Sequence, residues 1–339
     1  MKFGIIGCRH GHISSFITEM IELGHTCAGI YEQDKAFAAQ IAAPFGIPVL
    51  DSEEPLLADD IEIIGSSAIN SEKIAIIEQC ERYGKAIMVD KPAVVNRAQL
   101  ERLKAVLDRG LIQVGMMLTE RFRSSTAALH RLIQEGRLGR IVSISTRKPH
   151  RLSPEARQPW HFEKEHNGGI IADLFIHDFD LLRWLTGCEI TGIHSMMSKR
   201  IMPDKPTFYD AATAQVMLGG GVMAQLYADW HTPAKSWTWG DCRLFVVGTE
   251  GSAELRLNGD PLVAHEELLL WVSNDHAYER LELDAVPVNC TADFLNRIAG
   301  KPALVSHEDM YMACRATVLA DEQAVIYNHF ESELQEAER

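Results

Sequence analysis

The chain has 339 residues, 46% hydrophobic and 24% charged, enough for two domains with separate cores and too apolar for a disordered chain. Its 33 basic and 47 acidic side chains leave a formal charge of -14, which argues against a nucleic-acid surface or an anionic membrane. It does not bear on a small neutral substrate. Seven cysteines without a C-x-x-C pair read as free thiols of a reducing compartment. Residues 1–7 are too short and glycine-rich for a signal peptide, and no apolar run reaches membrane-spanning length, so a cytoplasmic protein is expected. An acidic tail follows Phe330.

Residues 2–6 form a short buried strand, and Gly7, Cys8, Arg9, His10, Gly11 and His12 turn it into a helical run ending near residue 23. Strand, glycine turn and helix are the context of a dinucleotide fingerprint. The fingerprint is imperfect: in G-x-G-x-x-G the second glycine falls on Arg9 and the third on His12, with Gly11 one place early. Helix N-terminal amides can still take a phosphate, with Gly11 giving close approach; a tight turn without a ligand is the plain alternative. The second strand, 26–31, ends at Glu32. An acid there suits the hydroxyls of an adenosine ribose and repels a 2′-phosphate, which favours NAD. Arg9 pulls the other way, toward NADP, so NADP is the less favoured cofactor.

Strands and helices go on alternating: helix 36–45, strand 48–50, strand 61–65, helix 71–83, strand 86–89, helix 97–109 and strand 112–116. Repeated βα units with buried strands predict an α/β fold, with a doubly wound parallel sheet over residues 1–118. Ligands of such sheets bind beyond the carboxyl ends of the strands. Gly7 to Gly11, Glu32, Ser66, Ser67, Asp90, Lys91 and Pro92 all fall there. A lysine at a strand end can stabilise a developing alkoxide; a surface lysine before a proline turn is the plain alternative.

Residues 119–339 predict an α+β domain for substrate binding and oligomerisation. Its parts are a helix at 124–135, a half-buried strand carrying Val142, Ile144 and Thr146, and a polar connection at 151–166 with Trp160 and His161. Connections of that length are often functional; Trp160 either stacks on a sugar face or anchors the loop. Residues 167–187 read as one helix, with Asn167 as N-cap and Gly187 as stop. Asp173 and His177 stand four apart, so their side chains overlie. A carboxylate beside an imidazole suits a general base at neutral pH; an exposed pair worth a few tenths of a kcal/mol is the alternative. Gly168 and Gly169 would admit a ligand to the backbone. The pair lacks a third ligand at zinc-like spacing, so no metal is expected there. Strands at 190–197, 211–218, 222–229, 243–247, 253–257 and 268–272 predict a large open, mostly antiparallel sheet, closed by helices at 291–299 and 308–327. Helices cover one face only. With Val216, Leu218 and Leu226 on the other, a homodimer or homotetramer is expected.

Gly168, Gly169, Asp173, His177 and Asp180 resemble the GG-x-x-x-D-x-x-x-H-x-x-D signature of the glucose–fructose oxidoreductase / inositol dehydrogenase (Gfo/Idh/MocA) family, with Phe175 where that family often has glycine. Residues 84–92 resemble its G-K-x-V-x-x-E-K-P segment, with Asp90 in place of glutamate. Arg121 and Phe122 are similar to its arginine–aromatic pair, and residues 136–141 to its G-x-x-G-x-I hinge. The loop from Ser66 to Glu72 departs from the family's T-P-x-x-x-H. The resemblance covers nearly the whole chain. It implies a Rossmann domain and an NAD(P)-dependent oxidoreductase passing hydride between nicotinamide and a secondary alcohol or ketone of a sugar, inositol or polyol. It also implies that His177 takes the hydroxyl proton, that Asp173 holds the ring, and that Lys91 reaches the nicotinamide and polarises the reacting oxygen. Arg121, Trp160 and His161 would join these three at the substrate, and the Lys91–Pro92 bond would be cis. Two other uses of the scaffold stay open. One is a glycosidase or lyase that oxidises its sugar transiently. The other is a non-catalytic dinucleotide- or sugar-binding regulator, against which the intact Lys91, Asp173 and His177 set argues.

Overall fold

The computed structural model describes residues 1–263 and 265–330; the acidic tail lies outside them. The chain forms two compact units. The first is Met1–Leu118 with Glu165–Gly168 and Val288–Arg315; the second holds Thr119–Lys164, Gly169–Pro287 and the described residues from Ala316 onward. Two segments of the expected second domain thus return to the first unit. Hydrogen bonds fix them there: Asn70 Nδ2 donates to the Asn167 carbonyl at 2.9 Å, and an Arg297 guanidinium nitrogen to the Val114 carbonyl at 2.5 Å.

The first unit alternates β1 (Lys2–Ile6), α1 (His12–Glu22), β2 (Thr26–Tyr31), α2 (Lys35–Ala42), β3 (Ile63–Ser66), α3 (Lys73–Arg82), β4 (Ala86–Val89), α4 (Arg97–Arg109) and β5 (Val114–Met116). The strands pair in parallel in the order β2-β1-β3-β4-β5. The order reverses between β1 and β3, the switch point where such sheets open a ligand crevice. Two helices start on side-chain caps that occupy an otherwise orphan N–H: Asp34 accepts from Phe37 at 3.1 Å and Asn96 from Gln99 at 3.0 Å. The expected strand at 48–50 is a single bridge from Val49 to Ile30.

In the second unit α5 (Ser124–Gln134) leads into β6 (Ile141–Pro149). After the 151–163 connection come α6 (Lys164–Asn167), whose last residues belong to the first unit, then α7 (Gly169–Leu174) and α8 (Ile176–Thr186). Strands β7 (Ile190–Lys199), β8 (Ala211–Leu218), β9 (Met223–Asp229), β10 (Arg243–Gly248), β11 (Gly251–Arg256), β12 (Leu268–Ser273) and β13 (Glu279–Arg280) follow. Then come α9 (Cys290–Ile298) and α10 (His307–Glu322), of which α9 and α10 as far as Arg315 belong to the first unit, and β14 (Val325–Asn328) back in the second. The nine strands lie in the order β13-β12-β11-β10-β6-β9-β8-β7-β14, antiparallel except for the β6–β9 and β14–β7 pairs.

Three expectations are corrected. The helix predicted to reach residue 327 stops at Glu322, and Val325, Ile326 and Tyr327, β-branched and aromatic, add an edge strand instead. The single helix at 167–187 is two, α7 and α8, preceded by the end of α6. Gly168 and Gly169, with φ of +91° and +79°, turn the chain between α6 and α7, and Asn167 ends α6 instead of capping a helix. Val216, Leu218 and Leu226, expected on the open sheet face, are buried beneath the helices in one core with Leu181 and Phe179. The opposite face instead shows Met196, Met217, Met223, Phe245 and Val247, with Met217 directly opposite Met223.

Candidate active site

In the first unit the loops after β1 and β3 are bound together. The Ser67 N–H donates to the Gly7 carbonyl at 2.9 Å, the His10 N–H to the Ser67 carbonyl at 3.1 Å, and the Ser67 hydroxyl to the His10 carbonyl at 2.7 Å. Gly7 is required twice. Its φ is +79°, and a Cβ there would stand 2.5 Å from the Ala68 Cβ. Gly11 caps α1 without a side-chain hydrogen bond, and a Cβ built on it meets nothing within 4 Å. Gly11 thus leaves room for a ligand at the start of α1, where the first amide, His12 N–H, has only the long 3.4 Å contact to His10 Nδ1.

The Glu32 carboxylate is buried at the end of β2. It accepts the Cys8 N–H at 3.1 Å and the Asp34 N–H at 3.2 Å, tying the glycine turn to the second strand. Arg9 reaches past it to Asp34 at 3.0 Å. Cys8 faces the core, and burial, with the Glu32 charge, pushes its thiol up to about 12; its side chain is a core group and only its backbone faces the turn.

Asp90 and Lys91 follow β4, and the Lys91–Pro92 bond is cis. Asp90 is buried together with a lysine that sequence patterning missed. Lys73, at the start of α3, pairs with the Asp90 carboxylate and donates to the Asn70 Oδ1 at 2.7 Å and to the Asp90 and Pro92 carbonyls at 3.1 and 3.2 Å. Lys73 occupies the same helix face as buried Ile77 and Cys80. That misplaced charge on an apolar stripe is the one signal that could have found it. Burial would raise the Asp90 carboxyl, but Lys73, then His12 and His10, hold it down to about 2.

In the second unit α7 and α8 are nearly continuous: Phe175 N–H donates to Ile171 at 3.0 Å, and Phe179 N–H to Phe175 at 2.9 Å. The four-residue offset of Asp173 and His177 therefore survives the break at Phe175. From Ile170 to Leu182 every residue is buried except these two. The two other carboxylates of the stretch are internally paired. Arg121 grips Asp180 bidentately, Nε and Nη2 donating to its two carboxylate oxygens at 2.8 and 2.5 Å, and Lys148 on β6 stands 3.3 Å from Asp178. Burial raises the Asp178 carboxyl against the pull of Lys148, and the Asp178 charge raises Lys148 against burial. Arg121, expected at the substrate, is only 2% exposed and serves to hold α8. Trp160 is 5% exposed, its ring stacked on His161 at 3.8 Å, so of its two open roles the structure favours the loop anchor. Arg157 of the same loop lies over the Trp230 ring at 4.5 Å, with its Nε on the Leu152 carbonyl at 2.6 Å. Burial lowers this guanidinium while the Asp173 charge raises it, so Arg157 is an electrostatic neighbour of the pair. An arginine in a polar loop carries no sequence pattern to mark it.

A Rossmann-type sheet with a glycine turn in the first unit, and Asp173 and His177 four residues apart on a buried helical stretch of the open-sheet second unit, define a nucleotide-dependent oxidoreductase class. Residues 1–116 match the oxidoreductase family with an NAD-binding Rossmann fold, GFO/IDH/MocA, and residues 126–254 match the GFO/IDH/MocA C-terminal domain. The chain belongs to this family, and it is a dehydrogenase-class enzyme acting on CH–OH groups. It is 28% identical over 236 residues to inositol 2-dehydrogenase 2 of Saccharopolyspora erythraea, an alignment spanning 67% of this chain and 66% of that one. It is 30% identical over 254 residues to the NAD(+)-dependent scyllo-inositol 2-dehydrogenase of Bacillus subtilis, covering 71% and 68%. A solved structure from Erwinia carotovora atroseptica superposes with a TM-score of 0.88 at 26% identity, over 96% of this chain and 99% of that one. Among the described residues no helix is long and apolar enough to cross a membrane.

Proposed function

We propose that the chain moves a hydride between NAD and a secondary alcohol or ketone of a sugar, inositol or related polyol. The observation that carries this reading is the burial pattern of α7 and α8: Asp173 and His177 alone stay accessible in a stretch whose other acids are spent on internal pairs. His177 accepts the hydroxyl proton on oxidation and returns it on reduction. Asp173 orients the ring and stabilises the imidazolium, and the Lys91 ammonium offsets charge developing on the substrate oxygen. NAD, when bound, supplies the hydride acceptor; Gly7, the α1 N-terminus and the Glu32 region are the groups suited to hold it. Its inositol dehydrogenase relatives support a polyol as substrate class. Screening inositols, sugars and their keto forms for NAD(H) absorbance change tests the reading, and no turnover with any of them counts against it.

Two acids at the end of β2 set the cofactor preference. A 2′-phosphate would meet Glu32 and Asp34, and the Arg9 guanidinium near them is already engaged by Asp34. NADH is expected to bind more tightly than NADPH in a fluorescence titration, and Glu32→Ala to narrow the gap. Tighter NADPH binding by the parent would refute the preference.

The open face of the nine-stranded sheet carries the Met217–Met223 pair and the exposed Phe245 and Val247. Apolar side chains grouped on one exposed sheet face favour self-association. A homodimer or homotetramer is expected by light scattering, and a monomer at every concentration would exclude it.

A further inference from the structure

His12, where the fingerprint calls for its third glycine, stands with His10 beside a buried acid. His10 Nδ1 lies 3.3 Å and His12 Nδ1 3.5 Å from the same oxygen, Asp90 Oδ2, and the two rings stand 4.0 Å apart. One ligand atom from each of the three residues lies within 4.8 Å of the others. We propose that His10, His12 and Asp90 form a binding site for one divalent transition-metal ion, with two imidazole nitrogens and one carboxylate oxygen as ligands.

The spacing supports this. A tetrahedral ion with bonds of 2.0–2.1 Å separates its ligand atoms by about 3.3–3.4 Å, close to the two nitrogen–oxygen distances observed. The carboxylate is presented for single-oxygen ligation. Lys73 holds Oδ1, while Oδ2 is the oxygen facing both rings. His10 Nδ1 also lies 3.4 Å from the His12 N–H, a long contact that ligation by that nitrogen would replace.

Charge decides which ion. Lys73 cancels the Asp90 charge, and Arg9 on the same turn is paired with Asp34. A hard cation such as Mg²⁺ or Ca²⁺, which depends on anionic oxygen, gains little here. Zn²⁺, Co²⁺ or Ni²⁺, which bind imidazole well, remain favourable. The ion would lie at the start of α1, where this fold class takes a diphosphate. The site itself does not depend on the hydride-transfer reading.

The test uses the full chain stripped of metal and free of dinucleotide, titrated with Co²⁺ and followed by its visible d–d absorbance. One Co²⁺ per chain is expected, displaced by Zn²⁺ and untouched by excess Mg²⁺ or Ca²⁺. His10→Ala and His12→Ala should each weaken it by at least about tenfold. Both imidazoles are partly exposed, so these variants are expected to fold, and their metal-free melting curves should match the parent. Two results overturn the proposal: no Co²⁺ bound at about millimolar concentration, as when the two imidazoles simply share a proton with Asp90, or binding undiminished in both variants, which would place the ion on other histidines or thiols. Because no dinucleotide is present, either failure leaves the dehydrogenase reading to its own substrate screen.

Discussion

Replacing His177 by alanine is expected to lower turnover of an accepted alcohol by about 10²–10⁴, the usual cost of losing a general base, with NAD binding largely retained. Cofactor binding should survive because His177 belongs to the second unit, and the glycine turn, Glu32 and Asp90 to the first. Oxidation should be favoured by rising pH, since only a neutral imidazole takes a proton and its ordinary pKa is about 6.5. With Asp173 in its proposed role of stabilising the imidazolium, Asp173→Asn should move that alkaline-favoured limb to lower pH and cost less rate than His177→Ala. Lys91→Ala should be at least as damaging as His177→Ala, because an ammonium beside the reacting oxygen stabilises charge that exists only in the transition state. The measurement is kcat against pH for the parent and the three variants. Turnover by His177→Ala within about threefold of the parent would remove His177 as the base. His161, partly exposed on the adjoining connection, would then be the next candidate.

The second large effect concerns stability. Arg121 and Asp180 are both buried, and the guanidinium Nε and Nη2 donate to both carboxylate oxygens. Removing one partner strands a charge inside the second unit, so Asp180→Ala is expected to destabilise it by about 3–5 kcal/mol. The double replacement Arg121→Met with Asp180→Leu removes both charges and should recover most of that loss, because a well-packed apolar pair often matches a buried ion pair. Urea unfolding followed by tryptophan fluorescence reads both; Trp184, whose ring lies 5.6 Å from the Arg121 guanidinium, reports directly on this region. A loss below about 1 kcal/mol for Asp180→Ala would mean that the site stays hydrated and the pair is worth no more than a surface bridge. The pair also bears on catalysis: it anchors α8 three residues beyond His177, so a stable Asp180 variant with lowered kcat would show positioning.

The βα alternation was legible in the sequence because it is a local property. Buried strands are continuous apolar runs, and helices end at residues such as Gly110, whose φ of +61° suits glycine. Asp173 and His177 were legible because a four-residue offset is a helical relation, and it persists through the break at Phe175. What the sequence could not carry depends on distant segments meeting. The positive φ of Gly168 and Gly169 ends α6 before α7 begins, and a second break at Phe175 divides α7 from α8. The same alternation in β8 and β9 fits either sheet face, and only packing against α7 and α8 turned Val216, Leu218 and Leu226 inward and left Met217 and Met223 outside. A lone lysine reads as solvated until its partner is known, so Lys73 waited on Asp90, seventeen residues away, and Lys148 on Asp178, thirty residues away. Arg121 looked like a substrate ligand for the same reason. A buried charge is decided by what the tertiary fold sets beside it, since desolvation permits it only where a counter-charge is already in place.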